Sequence, residues 1–169
     1  MVDLFDGYHF PGAGSLAFDE MFSAKGHVRQ SYLELHRVLE AMTTEELNGR
    51  AESLADSYLA QGVTFDFAGE ERPFPLDAVP RVISGNEWDR LERGIAQRVR
   101  ALEAFLADIY GHAAVIQDGI IPAHVITSSG QFLRQAAGVV AQNGVRIQVS
   151  GIDLIRDEQG QWRVLEDNV

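Results

Sequence analysis

The sequence contains no cysteine, which removes disulfides, thiolate metal sites and thiol nucleophiles together. A reducing compartment is compatible with that absence. Basic residues are scarce: 14 Lys and Arg stand against 25 Asp and Glu, for a formal net charge of -11 at pH 7. A field of that sign repels polyanions, and no Lys/Arg run interleaved with aromatics offsets it, so nucleic acid is not an expected partner. No apolar run approaches the roughly 20 residues of a membrane span. The opening MVDLFDGYHF carries acids where a secretory leader would carry bases. The resulting expectations are no nucleic acid, no membrane and a cytoplasmic location.

What is present is enough for a core. A chain of 169 residues with 46% hydrophobic residues is globular in composition, and one domain is the expectation. Residues 1–16 read as an irregular arm, because the Gly- and aromatic-rich opening has no regular period. Its Pro11-Gly12-Ala13-Gly14 lacks the preceding strand, the third glycine and the Lys-Ser or Lys-Thr pair of a phosphate-binding turn.

From Val28 to about Ala41, Tyr32, Leu35, Val38 and Leu39 recur at three- and four-residue steps, the mark of one helical face. Thr43 and Glu46 then form a capping-box pattern that opens a second helix, which Gly62 ends. VTFDF reads as extended, and RPFPLDAVPR as a proline-held connector. The longest periodic stretch starts at an Asn86 cap and stops at Gly111. Trp88, Leu91, Ile95, Val99, Leu102, Leu106 and Ile109 form its apolar stripe. Asp89, Arg90, Glu92, Arg93 and Arg100 lie off the stripe and read as a solvated face. Pro122 suits a first helical turn, and Ser128 or Ser129 suits the cap of a second short helix.

Five histidines, His9, His27, His36, His112 and His124, are scattered without a pair at helical metal spacing. A serine-hydrolase elbow of the Gly-x-Ser-x-Gly form is also absent.

The final stretch changes to an alternating period. GVRIQVSGIDLI and QWRVLEDNV are β-rich runs joined by RDEQG, a turn composition, so residues 145–169 predict a hairpin. Alternation puts Trp162, Val164, Glu166 and Asn168 on one face and Asp167 on the other. A four-residue loop, Asp157 to Gly160, would set Arg156 opposite Gln161 and Asp153 opposite Val164. Asp153 and Glu166 would then be diagonal neighbours, with Cβ atoms about 6–8 Å apart. Two carboxylates and an amide are hard oxygen donors that suit magnesium. Acidic strand ends also suppress edge pairing, and the spacing alone does not separate the two readings.

The aspartate, turn and Glu-x-Asn strand resemble the metal-binding hairpin of ATP-grasp ligases. Together with QGVTFDF, PFPLDAVPRVI, the long helix EWDRLERGIAQRVRALEAFLADIYG, DGIIPAHV and FLRQ, the order resembles the circularly permuted ATP-grasp type 2 family over residues 17–169. That resemblance implies an α+β fold: a helical N-terminal part, then a sheet with a C-terminal β-hairpin. It also implies an ATP-dependent carboxylate–amine ligase, akin to glutathionylspermidine synthase-like enzymes, working through an acyl-phosphate. Magnesium and ATP would be the cofactors, and Asp153, Glu166 and Asn168 match the family's metal ligands. The partners would be a small-molecule carboxylate, amino acid or peptide, and an amine.

Gly151 stands where many such ligases carry an arginine; Arg146, the base that precedes it on the same β-rich run, falls by odd-even parity on the opposite face from Asp153 and is not a candidate. Since the nucleotide-binding lobes of the family are not among these residues, the expectation is an N-terminal portion that is inactive alone. The alternative is a non-catalytic α+β binding module. Neither the substrates nor the oligomeric state can be read from the sequence.

Overall fold

The computed structural model describes residues 4–8 and 17–169; His9 and the Pro11–Gly14 stretch lie outside them. The fold is mixed α and β, with helices and two small antiparallel sheets, the second a C-terminal hairpin. The chain divides into two compact units. The first is Met1–Ser84 with Glu158–Gly160, and the second is Gly85–Asp157 with Gln161–Val169.

In the first unit the expected helix after Val28 begins as a 3-10 turn, Gln30–Tyr32, and becomes α1, Leu33–Glu40. Met21, Phe22, Tyr32 and Leu39 form the buried core among the described residues, with Phe5, Leu35, Val79 and Val82 packed against it. Val38, the remaining stripe residue, is 52% exposed. The Tyr32 hydroxyl accepts from the Val82 N–H at 2.9 Å, tying the proline-rich connector to the helix. Asp19 shapes the preceding turn, since its Oδ1 accepts from the N–H groups of Met21 and Phe22 at 2.9 and 2.8 Å. His36 is a packed imidazole, stacked on Phe5 at 4.8 Å and edge-on to Phe22 at 5.6 Å.

The second helix, α2, spans Thr44–Ala60 and opens on the capping box read from the sequence. The Thr43 N–H donates to Glu46 Oε2 at 2.8 Å, and the Glu46 N–H donates to Thr43 Oγ1 at 3.2 Å. The Thr43 N–H first, and then the Thr43 hydroxyl, which donates to the same Oε2 at 3.2 Å, hold the Glu46 carboxyl below the usual glutamate range. Gly62, at φ 71°, follows its end.

An unexpected hairpin comes next. β1, Thr64–Phe67, pairs antiparallel with β2, Glu70–Pro73. Ala68 and Gly69 turn it at φ 57° and 87°, the two left-handed positions of a type I′ turn. The Gly69 N–H donates to Asp66 Oδ1 at 2.8 Å. Ala-Gly lacks the Asn or Asp that usually marks such turns, so sequence alone reads only an extended stretch.

In the second unit α3 spans Gly85–Ile109, placing Asn86 inside the helix rather than at its cap. Leu91, Ile95, Val99, Leu102, Leu106 and Ile109 of the stripe are half-buried, but Trp88, its first member, is exposed, as are Asp89, Arg90, Glu92, Arg93 and Arg100. Asp108 starts the short α4, Ala114–Gln117, its carboxylate accepting from the N–H groups of Ala114 and Val115, both at 2.9 Å. Pro122 precedes α5, Ala123–Thr127, which ends at Ser128. Ser128 therefore closes a helix rather than opening one. Ser129 Oγ accepts from the Gln131 N–H at 3.3 Å in the following turn. Tyr110 stacks on Phe132 at 5.0 Å, and its hydroxyl accepts from the Leu133 N–H at 3.1 Å.

The last elements are β3, Gly151–Arg156, and β4, Trp162–Asn168, paired antiparallel as a two-stranded sheet. The β-rich run expected from Gly144 thus becomes strand only at Gly151. Residues 145–150 are irregular, and a carboxylate on α3 occupies two of their backbone donors. Glu103 Oε2 accepts from the N–H groups of Arg146 and Ile147 at 2.9 and 2.8 Å. A peptide N–H so engaged is lost to a sheet ladder.

Candidate metal centre

The candidate site lies on the β3–β4 hairpin, whose register differs from the sequence reading by two separate steps. The first is at the loop. Arg156 faces Trp162, not Gln161, so five residues lie between the paired ends. Asp157 closes this wider loop, its N–H donating to the Gln161 carbonyl at 2.9 Å and its Oδ1 accepting from the Gln161 N–H at 2.7 Å. Its Oδ2 takes the Arg163 Nε–H at 2.7 Å. Such side-chain closure of a turn is characteristic of aspartate.

The second step is a β-bulge. Leu154 faces Val164 but Asp153 faces Glu166, leaving Leu165 as the extra residue. A bulge re-aims the side chains beyond it. Before it, Trp162 and Val164 are half-buried and Arg163 is exposed; after it, Glu166 and Asn168 are exposed and Asp167 is half-buried. Glu166 and Asn168 therefore do not share the face of Trp162 and Val164, as strict alternation predicts. They lie on the solvent side with Asp153.

The two steps together convert a diagonal relation into a direct one. Asp153 and Glu166 are cross-strand partners, a geometry that brings Cβ atoms to about 4.5–5.5 Å. Asn168, opposite Gly151, donates its Nδ2–H to Glu166 Oε1 at 3.2 Å and leaves its amide oxygen for another partner. Among the described residues, neither carboxylate is paired with a cation. Nor does any group of three His, Asp or Glu side chains form a metal cluster there, so the donor set is two carboxylates and one amide. That set fits a hard divalent cation that keeps water and takes phosphate oxygens.

Asp167 points the other way into a fork. The Arg98 Nε–H donates to Asp167 Oδ1 and Oδ2 at 2.7 and 2.9 Å, and the Arg98 Nη2–H donates to Oδ2 at 2.5 Å. The Asp167 side chain is only 16% exposed. These bonds hold its carboxyl below the usual aspartate range against the opposing effect of burial.

Arg146, five residues before Gly151, is turned to α3, its Nη1 3.3 Å from Glu103 Oε1. Hydrogen bonds from the Ile147 N–H first, then from Arg146, hold the Glu103 carboxyl below the usual glutamate range. On the half-buried face of the hairpin, Arg156 lies over the Trp162 ring at 4.1 Å and pairs with Glu87 at 2.9 Å.

A sequence profile described as a circularly permuted ATP-grasp matches residues 80–169, a stretch that contains α3, the Glu103 anchor and the whole hairpin. The chain belongs to this family. An uncharacterised protein of Mycobacterium leprae is 55% identical over 166 residues, covering 98% of this chain and 30% of that protein. An uncharacterised protein of Synechocystis is 39% identical over 156 residues, covering 90% of this chain and 32% of that protein. A Frankia casuarinae protein that carries the provisional name glutamate–cysteine ligase 2-2 is 42% identical over 154 residues, covering 90% of this chain and 18% of that protein. The chain thus spans about a third or less of these relatives.

Arg98 and Glu103 escape a reading by composition, but the permuted ATP-grasp helix carries a signal for both. Arg98 lies three residues from Ile95 and four from Leu102, and Glu103 lies four from Val99, so both border the apolar stripe rather than oppose it. A charge in that position has a neighbouring element within reach.

Proposed function

We propose that the longest natural form of this protein is an ATP-dependent carboxylate–amine ligase, and that Asp153, Glu166 and Asn168 hold its magnesium. In this reaction a substrate carboxylate oxygen takes the terminal phosphoryl group of ATP and ADP leaves. The amine then attacks the acyl carbon, phosphate departs, and the amine gives up a proton. The observation that carries the reading is the direct pairing of Asp153 with Glu166 beside Asn168, on the exposed face of a hairpin in permuted family order. Magnesium bound there would neutralise phosphate charge and favour in-line transfer.

The chain's own contribution is positional. The bulge at Leu165 turns Glu166 outward, and the Asn168 amide fixes one Glu166 oxygen. A small carboxylate, amino acid or peptide, and an amine are the proposed substrates, in keeping with the name carried by the Frankia relative. The sequence holds one lysine, Lys25, which leaves little to grip a triphosphate. Residues 1–169 by themselves are therefore proposed to be inactive.

The test is ATP turnover by the longest natural chain with candidate acids and amines, against Glu166→Gln and Asp153→Asn. Both substitutions are expected to reduce magnesium-dependent turnover by about 100-fold or more with the melting midpoint retained. Turnover equal to the parent in both variants removes the hairpin from the site. ATP hydrolysis by residues 1–169 alone overturns the proposed inactivity.

A further inference from the structure

We infer that Arg98 is a positioning residue for the metal set, fixing through Asp167 the register in which Glu166 and Asn168 face outward; this rests on the metal reading above. Three cross-strand pairs follow the bulge: Asp153 with Glu166, Ile152 with Asp167, and Gly151 with Asn168. Little else in them specifies register. Gly151 offers no side chain, and the Asp153–Glu166 pair sets like charges opposite each other, which disfavours the arrangement. A slip of one residue exchanges the faces of a strand. It would carry Glu166 to the side of Ile152 and Leu154 and turn Asp167 to solvent.

The Arg98 fork opposes that slip. Its two nitrogens reach both Asp167 oxygens, a planar arrangement that accepts a carboxylate in one orientation. Because α3 holds Arg98, the strand is keyed to a helix and not only to its hairpin partner. An ion pair on a half-buried face adds little to stability compared with apolar packing, and register is the best-attested use of such a pair. Asp167 lies between two candidate ligands in sequence, so whatever fixes its face fixes theirs.

The experiment is a Mn2+ titration of the longest natural chain, read by the paramagnetic resonance of free and bound ion. It compares the parent with Arg98→Ala, Arg98→Lys, Asp167→Asn and Glu166→Gln, each below its melting midpoint. Arg98→Ala and Asp167→Asn are expected to weaken Mn2+ binding by about tenfold or more, in the range of changes behind a metal's direct ligands. Arg98→Lys is expected to recover part of the affinity, since an ammonium keeps the charge without the fork; it also carries the test should Arg98→Ala not fold.

A changed midpoint with Mn2+ affinity equal to the parent in the Arg98 and Asp167 variants overturns the inference. If Glu166→Gln alone abolishes binding at the same time, the metal reading stands without it. A parent that binds no Mn2+ overturns both.

Discussion

At Gly111 a side chain has nowhere to go. A Cβ built there would stand 2.8 Å from the Ala107 carbonyl oxygen, in the last turn before the chain leaves α3. Gly94, in the middle of the same helix, would meet nothing within 4 Å. The two glycines therefore predict opposite outcomes. Gly111→Ala is expected to destabilise the second unit by about 1–3 kcal/mol, because the obstructing atom is backbone and cannot rotate away. Gly94→Ala is expected to stabilise it by about 0.5–1 kcal/mol, since alanine restricts the unfolded chain and fits the helix. Urea midpoints of the two variants check both signs at once. Sequence reading takes Gly111 as the stop of the long helix; α3 ends two residues earlier, at Ile109, and the close Ala107 carbonyl accounts for the missing side chain at Gly111, not for the end of the helix.

At the scale of elements, legibility tracks how local each determinant is. The capping box of α2 needs only Thr43 and Glu46, three residues apart, and both reciprocal hydrogen bonds form. Thr43→Ala is expected to cost about 1 kcal/mol, read as a lower urea midpoint, because it leaves a first-turn N–H without its acceptor. An unchanged midpoint would mean that the helix start is held by packing instead.

The β3–β4 register lies at the other extreme. Its loop is closed by Asp157 and its far end is held by Arg98, 69 residues before Asp167. Asp153, Glu166 and Asn168 are candidates by resemblance to the family hairpin, but their arrangement could not be read from the sequence. A bulge of one residue decides which face they occupy, and no local pattern at Leu165 announces it. The irregular segment before β3 is a parallel case: Val145 to Val149 carry strand-like residues, but Glu103 takes two of the N–H groups a strand would use.

For the whole molecule, the excess of acids makes acid stability a contest between two effects. Protonating carboxylates relieves the self-repulsion of a chain with formal charge -11, which favours the compact state. It also removes hydrogen bonds that only ionised carboxylates accept so well. Repulsion among exposed charges is screened beyond about 8 Å at physiological salt, whereas hydrogen-bonded contacts are not. Local bonds should therefore dominate, and Glu103 is the group to watch in the second unit.

Its folded value lies below the usual one, with the Ile147 N–H as the largest cause. A group depressed in this way contributes stability that is present above its unfolded value, about 4.3. That contribution is lost as pH falls through the lower folded value. The melting midpoint of the parent should accordingly fall faster below about pH 4.3 than that of Glu103→Gln, whose midpoint starts lower at pH 7. Relief of the overall charge is common to both proteins, so the difference between the two pH curves isolates the Glu103 anchor. Parallel curves would mean that this carboxylate does not hold residues 146 and 147 in solution.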